Sequence, residues 1–387
     1  MENKTRSKPK MCFVVAVDVT LKFLLISELK FFKNKGYEVS VICSPGSWIE
    51  NLRKEGIEVK EITIKRKMFT PISDLVSLIQ IFLYFKKEKF DMVMTFTPKP
   101  GLLGQLAAKM AGVPIIINTI FGYYFHQHTP LIKKALFIFI ERVAGWCSSW
   151  VFFRNKEDFE TAKKEHIIDP HVAEYIGDGI DIAKFNRTRF SEEFINEKKK
   201  DLQINLKIPV IGIVARLVKE KGYMELFEAF KKVALQFPDT VLLVIGPADL
   251  QKKDSINPNT FLQKNIIFLG ERTDVAELDL IMDIFVLPSY REGFPHSVME
   301  ASAMALPVIT TNVRGCRDAV KHHITGLIIP PKNAEELEKA IIYLLSNPSI
   351  AKNMGLAGRK AAEENFDKNT LLQKMEERME VLIKAKL

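Results

Sequence analysis

Short runs that are apolar throughout alternate with longer amphipathic stretches from one end of the chain to the other, and this alternation leaves few folds open. In the first half the apolar, β-branched runs fall at 13–17, 38–43, 92–96, 114–118 and 150–153. The stretches 21–35, 74–87, 102–111 and 131–146 between them carry apolar residues at helical spacing. The second half repeats the design, with runs at 209–215, 240–246, 265–269, 284–288, 307–310 and 326–329 and helical patterns at 223–237, 298–304 and 334–345. A strand without a polar face has to be covered on both sides, as in a parallel sheet between two layers of helices. Strand–helix alternation implies right-handed crossovers. The expected fold class is α/β: two doubly wound, Rossmann-like domains with parallel sheets facing a central cleft, ligands sitting at the carboxyl ends of the strands.

The length, 387 residues, exceeds one ordinary core and suits two domains of roughly 180 residues. The stretch 185–208 is charged and lacks strand character, so the linker is expected there. The expected division is a basic tail at 1–10, a first Rossmann-like domain at 11–190 and a second at 205–368. A last helix, about 369–387, can return to the first domain.

The tail carries Lys4, Arg6, Lys8 and Lys10 ahead of an apolar run, which superficially resembles a secretory leader. Asp18 and Lys22 interrupt that run and no small-residue cleavage site follows, so it reads as a tail before a buried strand. Nowhere do about 18 apolar residues follow one another, as a membrane span needs. Cys12, Cys43, Cys147 and Cys316 are scattered without a Cys-x-x-Cys pair, which argues against disulfides and zinc and for a reducing cytoplasm. The net charge is +9, and the excess lies entirely within residues 1–200. Anionic lipid headgroups, a pyrophosphate-linked acceptor or nucleic acid would answer such a surface, as would water alone. No nucleic-acid recognition module accompanies it.

The most informative segment is Ser289-Tyr-Arg-Glu-Gly-Phe-Pro-His-Ser-Val-Met-Glu-Ala-Ser-Ala-Met-Ala305. It follows an apolar strand and opens a helix near Ser297. Glu292 then stands on the loop at the strand's end and Glu300 in the helix's first turns. The helix start offers unpaired N–H groups and a positive dipole, which suit a phosphate. Taken singly, Glu292 is an ordinary loop acid, Glu300 an acid near a helix start and Arg216 a surface charge. Their joint spacing in a strand–loop–helix setting is what distinguishes them.

This segment resembles the Glu-x7-Glu signature of the family-4 retaining glycosyltransferases of the GT-B fold, and the resemblance extends over nearly the whole chain. Arg216 and Lys221 in Val214-Ala-Arg-Leu-Val-Lys-Glu-Lys-Gly222 match the family's basic pair, and Leu269-Gly-Glu-Arg-Thr-Asp274 its loop against the nucleotide base. Gly315, Thr325-Gly-Leu-Ile-Ile-Pro330, Thr97-Pro-Lys-Pro-Gly-Leu-Leu-Gly104 and Ile176-Gly-Asp-Gly-Ile-Asp181 are similar to further family landmarks. The resemblance implies that Arg216 and Lys221 neutralise the leaving diphosphate, Glu292 contacts the transferred sugar and Glu300 the ribose. It also implies donor contacts at Gly293, Phe294, Pro295, Ser297, Val298, Gly270 and Arg272. Catalysis would be electrostatic, with retention of configuration and no metal or cofactor; the chain contains no Asp-x-Asp motif. The donor expected is a UDP-sugar carrying a hexose or N-acetylhexosamine. The acceptor would be a glycan or a polyprenyl-diphosphate-linked sugar in surface polysaccharide synthesis, at the inner face of the cell membrane.

Two departures from the family pattern bear on the acceptor side, to which Asp18, Lys99, Phe121, His126 and His128 are assigned. Asp18-Val-Thr-Leu stands where many relatives have a glycine-rich loop, and Phe121 where many have a histidine. His126 and His128 lie close enough in sequence to stand in for it. Peripheral contact with an anionic membrane is expected from Tyr123-Tyr-Phe-His-Gln-His128, the helix after Pro130, and the basic–aromatic runs Lys65-Arg-Lys-Met-Phe69 and Phe82-Leu-Tyr-Phe-Lys-Lys87. A nicotinamide-dependent dehydrogenase would need Gly-x-Gly-x-x-Gly after a first strand, which neither Val17–Leu21 nor Ala215–Gly222 supplies. A sugar-nucleotide epimerase of the same fold and a non-catalytic binding subunit remain open on sequence.

Overall fold

A computed structural model describes residues 9–387 other than 66, 68, 97, 126–128, 249–253 and 262. The chain divides into two compact units, residues 1–176 with 372–387 and residues 177–371.

The first unit runs β1 (Lys10–Val14), α1 (Asp18–Thr20), a π-helical turn (Leu21–Leu25), α2 (Ile26–Asn34), β2 (Glu38–Cys43), α3 (Ile49–Lys54) and β3 (Glu58–Glu61). It continues through α4 (Pro71–Glu88), β4 (Met92–Phe96), α5 (Pro98–Ala111), β5 (Ile115–Ile120), α6 (Leu131–Cys147), β6 (Trp150–Phe153), α7 (Lys156–Lys164) and β7 (Ala173–Tyr175). Its sheet is parallel in the order β3-β2-β1-β4-β5-β6-β7. The residues of β1, β4 and β5 are buried almost without exception, as runs without a polar face require.

The second unit comprises α8 (Glu192–Asp201), β8 (Val210–Val214), α9 (Tyr223–Gln236), β9 (Val241–Ile245), β10 (Ile266–Gly270), α10 (Val275–Asp279) and β11 (Ile284–Leu287). After these come α11 (His296–Ala303), β12 (Val308–Thr311), α12 (Cys316–Ala319), β13 (Gly326–Ile329), α13 (Ala334–Ser346) and α14 (Pro348–Asn365). Its sheet is again parallel, in the order β10-β9-β8-β11-β12-β13. One large apolar core, with Val210, Leu243, Phe285 and Val298 among its buried members, lies on both sides of it.

The last helix, α15 (Lys368–Lys386), carries the chain back to the first unit from Leu372 on. There Leu372, Met375 and Met379 are buried. Glu376 pairs with Lys35 at 2.6 Å, and the Arg378 guanidinium lies 4.1 Å from the Trp150 ring centre.

The division falls earlier than the expected linker. Phe185, Ile195 and Ile204 belong to the core of the second unit. Lys198 on α8 bonds Asp274 at 2.7 Å and Glu277 at 2.8 Å on α10. The segment 185–208 is therefore part of the second unit, its charges on an outer helix face. Lys10, assigned to the tail, is the first residue of β1.

Candidate active site

Each sheet reverses its order once, between β1 and β4 in the first unit and between β8 and β11 in the second. At such a switch point the two flanking loops leave in opposite directions and open a crevice beyond the strands' carboxyl ends. In the second unit the β8 loop carries Arg216 and Lys221, and the β11 loop carries Glu292.

The β8 loop closes on a short 3-10 turn, Lys219–Lys221, and then on Gly222 with φ +76°. A Cβ at Gly222 would stand 2.0 Å from the Pro288 carbonyl oxygen, so only glycine lets the β8 loop lie directly on the end of β11. That contact brings the two loops' side chains together. The Lys221 ammonium bonds Glu292 Oε1 at 2.5 Å, and Ser289 Oγ donates to the same oxygen at 2.6 Å. Behind them the Tyr290 N–H donates to the Glu220 carbonyl at 2.9 Å, and Arg291 pairs with Glu220. Gly315, at φ +79°, presses on the far side of the same loop; a Cβ there would lie 2.1 Å from the Gly293 carbonyl oxygen. Arg216 stands half-buried on the β8 loop, five residues ahead of Lys221. Next to Glu292, burial above all pushes the Cys316 thiol up to about 12, with the Glu292 charge adding to it.

α11 begins immediately beyond. Its N-cap is Pro295, and no side chain of the described residues caps it, so its first-turn N–H groups keep their capacity to bind an anion. His296, its first residue, bonds Asp178 at 3.0 Å through Nε2. Asp178 is 3% exposed and comes from the Gly177–Gly179 turn. Glu300, one turn further on, makes no side-chain hydrogen bond among the described residues. Burial raises its pKa above the ordinary carboxyl value, and the positive groups of His296, Lys184 and Lys368 work against that rise. Asp279, at the end of α10, is 1% exposed, with neither carboxyl oxygen hydrogen-bonded among the described residues. Its own burial, and then the Glu300 charge, push it well up.

The other residues singled out from sequence are placed differently. Phe294 and Val298 are buried in the apolar core, Phe294 edge-on to Phe366. What they can offer a ligand is main-chain atoms. Ser297 is half-buried on α11. Gly270 ends β10 at φ +65° with open space beside it. Arg272 is clamped in two hydrogen bonds of 2.7 Å to Asp274. That contact, with Lys198 beside it, holds the Asp274 carboxyl well below the usual carboxylate range.

In the first unit the β1 loop carries Asp18 and α5 carries Lys99, again beyond the two switch-point strands. The Asp18 carboxylate is 6% exposed, accepts the Trp48 N–H at 2.8 Å and fills the space a side chain at Gly46 would occupy. Lys99 pairs with Asp74 at 2.6 Å and donates to Thr70 and to the carbonyls of Lys65 and Lys67. Both are therefore engaged in holding loops. Phe121 lies against Phe96, with the fully buried Arg154 guanidinium 5.3 Å from its ring centre. Arg154 in turn bonds Glu28 on α2 at 2.7 Å. His126 and His128 lie outside the described residues. Among those residues no group of three or more His, Cys, Asp or Glu side chains is placed to hold a metal.

No sequence pattern signals the pairing of Asp178 with His296, which are 118 residues apart. Asp178 was visible only as the middle of a glycine turn. Ser289 likewise carries no signal of its own beyond standing at the start of the motif.

Two doubly wound parallel sheets in series, the second with a basic loop and a carboxylate loop at its switch point, define a GT-B-type α/β protein. Two family descriptions match the chain: "Glycosyl transferase 4-like" over residues 10–149 and "Glycosyl transferases group 1" over residues 194–361. The chain belongs to the family-4 glycosyltransferases of the GT-B fold. It is 29% identical to the capsular polysaccharide biosynthesis glycosyltransferase CapM of Staphylococcus aureus, over 93% of this chain and 94% of that one. It is 27% identical to the UDP-Gal:alpha-D-GlcNAc-diphosphoundecaprenol alpha-1,3-galactosyltransferase of Escherichia coli, over 87% and 88%. Among solved structures, a glycosyltransferase from Rickettsia africae shares the fold at a TM-score of 0.81 and 24% identity, over 97% of this chain and 99% of that one. HepE of Anabaena, solved with UDP and glucose, does so at 0.81 and 19%, over 96% and 100%.

Proposed function

We propose that this glycosyltransferase moves a hexose or N-acetylhexosamine from a UDP-sugar to a polyprenyl-diphosphate-linked acceptor in surface polysaccharide synthesis. On this reading it acts at the inner face of the cell membrane, with retention of configuration and without a metal or cofactor. The observation that carries the reading is the contact of Lys221 and Ser289 with Glu292 across the switch point, beside the uncapped start of α11. Lys221 gives one of its three N–H donors to Glu292, leaving two for diphosphate oxygens. With Arg216 and the α11 N–H groups, they stabilise the negative charge that grows as the diphosphate leaves. Glu292 then orients the transferred sugar, and Glu300 accepts from the ribose hydroxyls. Main-chain atoms of Gly293, Phe294, Pro295 and Val298 and the Ser297 hydroxyl line the phosphates, while Gly270 and Arg272 border the base. The Escherichia coli relative's name specifies a UDP-sugar and a diphosphoundecaprenol acceptor. A Campylobacter jejuni relative at 26% identity is named for N-acetylgalactosamine transfer to a diphospho-undecaprenol-linked sugar.

The test is incubation of the purified chain with UDP-galactose, UDP-N-acetylglucosamine and UDP-N-acetylgalactosamine, with and without an undecaprenyl-diphosphate-linked N-acetylhexosamine. The expected result is one acceptor-dependent α-linked product that forms in the presence of a chelator. An epimerised sugar, free or still nucleotide-linked, formed without acceptor would instead identify an epimerase.

A further inference from the structure

The two ends of the second unit run side by side beneath α11. Ile180 pairs with Asp367 in a parallel bridge: its N–H donates to the Phe366 carbonyl at 2.8 Å, and its carbonyl accepts from the Lys368 N–H at 3.0 Å. Gly179 permits the approach, since a Cβ there would stand 2.8 Å from the Lys368 Cα. Two contacts tie the start of α11 to this pairing. Phe294 meets Phe366 edge-on with 5.7 Å between ring centres, and His296 bonds Asp178 at 3.0 Å. His296 and Glu300 are four residues apart and so share one face of the helix. The positive groups that act on Glu300 come from that face and from both paired segments: His296, Lys184 and Lys368.

Asp178 orients the imidazole. Its side chain is 3% exposed, accepting the Gly179 N–H on Oδ1 at 2.8 Å and meeting His296 Nε2 with Oδ2. A carboxylate only accepts, so Nε2 carries a hydrogen. Nδ1 makes no hydrogen bond among the described residues, and the His296 side chain is 20% exposed. Burying a carboxylate merely to clasp a turn to a helix is costly. Fixing an imidazole so that its other nitrogen can serve a ligand is what such pairs do elsewhere. The place on the helix says which ligand group that is. The start of α11 faces the diphosphate and Glu300 the ribose in the function proposed above, and His296 stands between them on the Glu300 face.

We propose that His296 binds the ribose-proximal phosphate of the nucleoside diphosphate through Nδ1, with Asp178 as the residue that positions it. This role presupposes the nucleotide donor proposed above. In the imidazolium form both ring nitrogens donate, Nε2 to Asp178 and Nδ1 to a phosphate oxygen. The charge that grows during transfer appears on the other phosphate, the one that carried the sugar. The His296 contact therefore acts alike on bound donor and transition state, and strengthens binding without speeding the chemical step.

The test is calorimetric titration of the full chain with UDP, GDP, ADP and the corresponding nucleosides, joined to steady-state transfer kinetics. The variants are His296→Ala, Asp178→Ala, Asp178→Asn and His296→Ala/Asp178→Ala. The expected result is one nucleoside diphosphate bound by the parent and on the order of tenfold more weakly by His296→Ala. Asp178→Ala should weaken it by a similar factor, and Asp178→Asn, which keeps an acceptor for Nε2, by less. The double variant should bind no more weakly than His296→Ala alone, because Asp178 acts through the ring. Donor KM should rise in step while kcat changes little. In the parent labelled with 15N-histidine, both ring nitrogens of His296 should shift to imidazolium positions with the diphosphate and hardly move with the nucleoside. Parent affinity in a folded His296→Ala variant, or His296 resonances unmoved by the diphosphate, overturns the proposal. So does a lowered thermal midpoint in both alanine variants with affinity unchanged, since the pair would then be a clasp alone. A parent that binds none of the three diphosphates removes the donor reading as well; one that binds UDP and loses nothing in His296→Ala removes only the role of His296.

Discussion

Lys221 and Arg216 stand on a loop whose position is fixed by its neighbours, so removing either should disturb chemistry more than folding. Lys221→Ala and Arg216→Ala should each lower kcat by about 10²–10³, with a circular dichroism spectrum like that of the parent. Steady-state transfer kinetics would show it, and wild-type turnover in a folded double variant would contradict the assigned roles. Glu300 supplies a pH test. Burial raises its pKa, so the carboxylate that accepts ribose hydroxyls forms only at a higher pH than for an ordinary glutamate. His296, Lys184 and Lys368 face it as positive groups, and Asp279, pushed well up by burial and then by the Glu300 charge, stays protonated beside it. Nucleotide affinity should therefore fall as pH drops through the Glu300 pKa, and Glu300→Gln should abolish that fall. Affinity titrations across pH would check both, and an inflection that persists in Glu300→Gln would contradict the assignment. The placement of Glu292 and Glu300 was legible in the sequence because short-range spacing on a strand–loop–helix frame sets it, whereas Lys221, 71 residues before Glu292, stood out only through the family resemblance. Asp18 and Lys99 were legible only as residue types: their partners, the Trp48 N–H and the loop carbonyls before Thr70, come from distant turns that no spacing reveals.

At the scale of elements, the site depends on two loops touching, and Gly222 permits it. Gly222→Ala would bring a Cβ against the Pro288 carbonyl at an unfavourable φ. The cost to the second unit should be at least about 2 kcal/mol, readable as a lower denaturant midpoint, with activity falling as the Lys221–Glu292 contact loosens. The central strands were legible because they are buried on both faces and are written in unbroken apolar residues. β3 and β7 were not. Both are edge strands of three or four residues, largely outside the core, with sequences Glu-Val-Lys-Glu and Ala-Glu-Tyr that carry no such run. The expected linker failed for a related reason: α8 is mostly charged, yet it buries Ile195 and Lys199 and pairs Lys198 with α10, so composition alone made a packed helix look like a connector.

For the molecule as a whole, one buried acid sets a pH dependence of stability. Burial, and then the nearby Asp158 charge, push Glu141 on α6 up to about 8. Between its unfolded pKa and that value the folded chain holds a proton the unfolded chain has released. Stability should accordingly fall as pH rises from about 5 to 8, by up to about 1.4 kcal/mol per pH unit. Glu141→Gln should remove this contribution, so its thermal midpoint should exceed the parent's by a margin that grows with pH; a constant margin would contradict the assignment. The two-unit organisation was visible in the repeated strand–helix alternation, but the path of α15 was not, because the partners of Glu376 and Arg378 lie far back in the chain. The account rests on the β8 and β11 loops of the second unit holding the donor's diphosphate. Calorimetric titration with UDP of the parent and of Arg216→Ala/Lys221→Ala tests this most directly. The account predicts one site in the parent and an affinity about 10- to 100-fold or more weaker in the folded variant. Equal affinity in both, or no UDP binding by the parent, would contradict it.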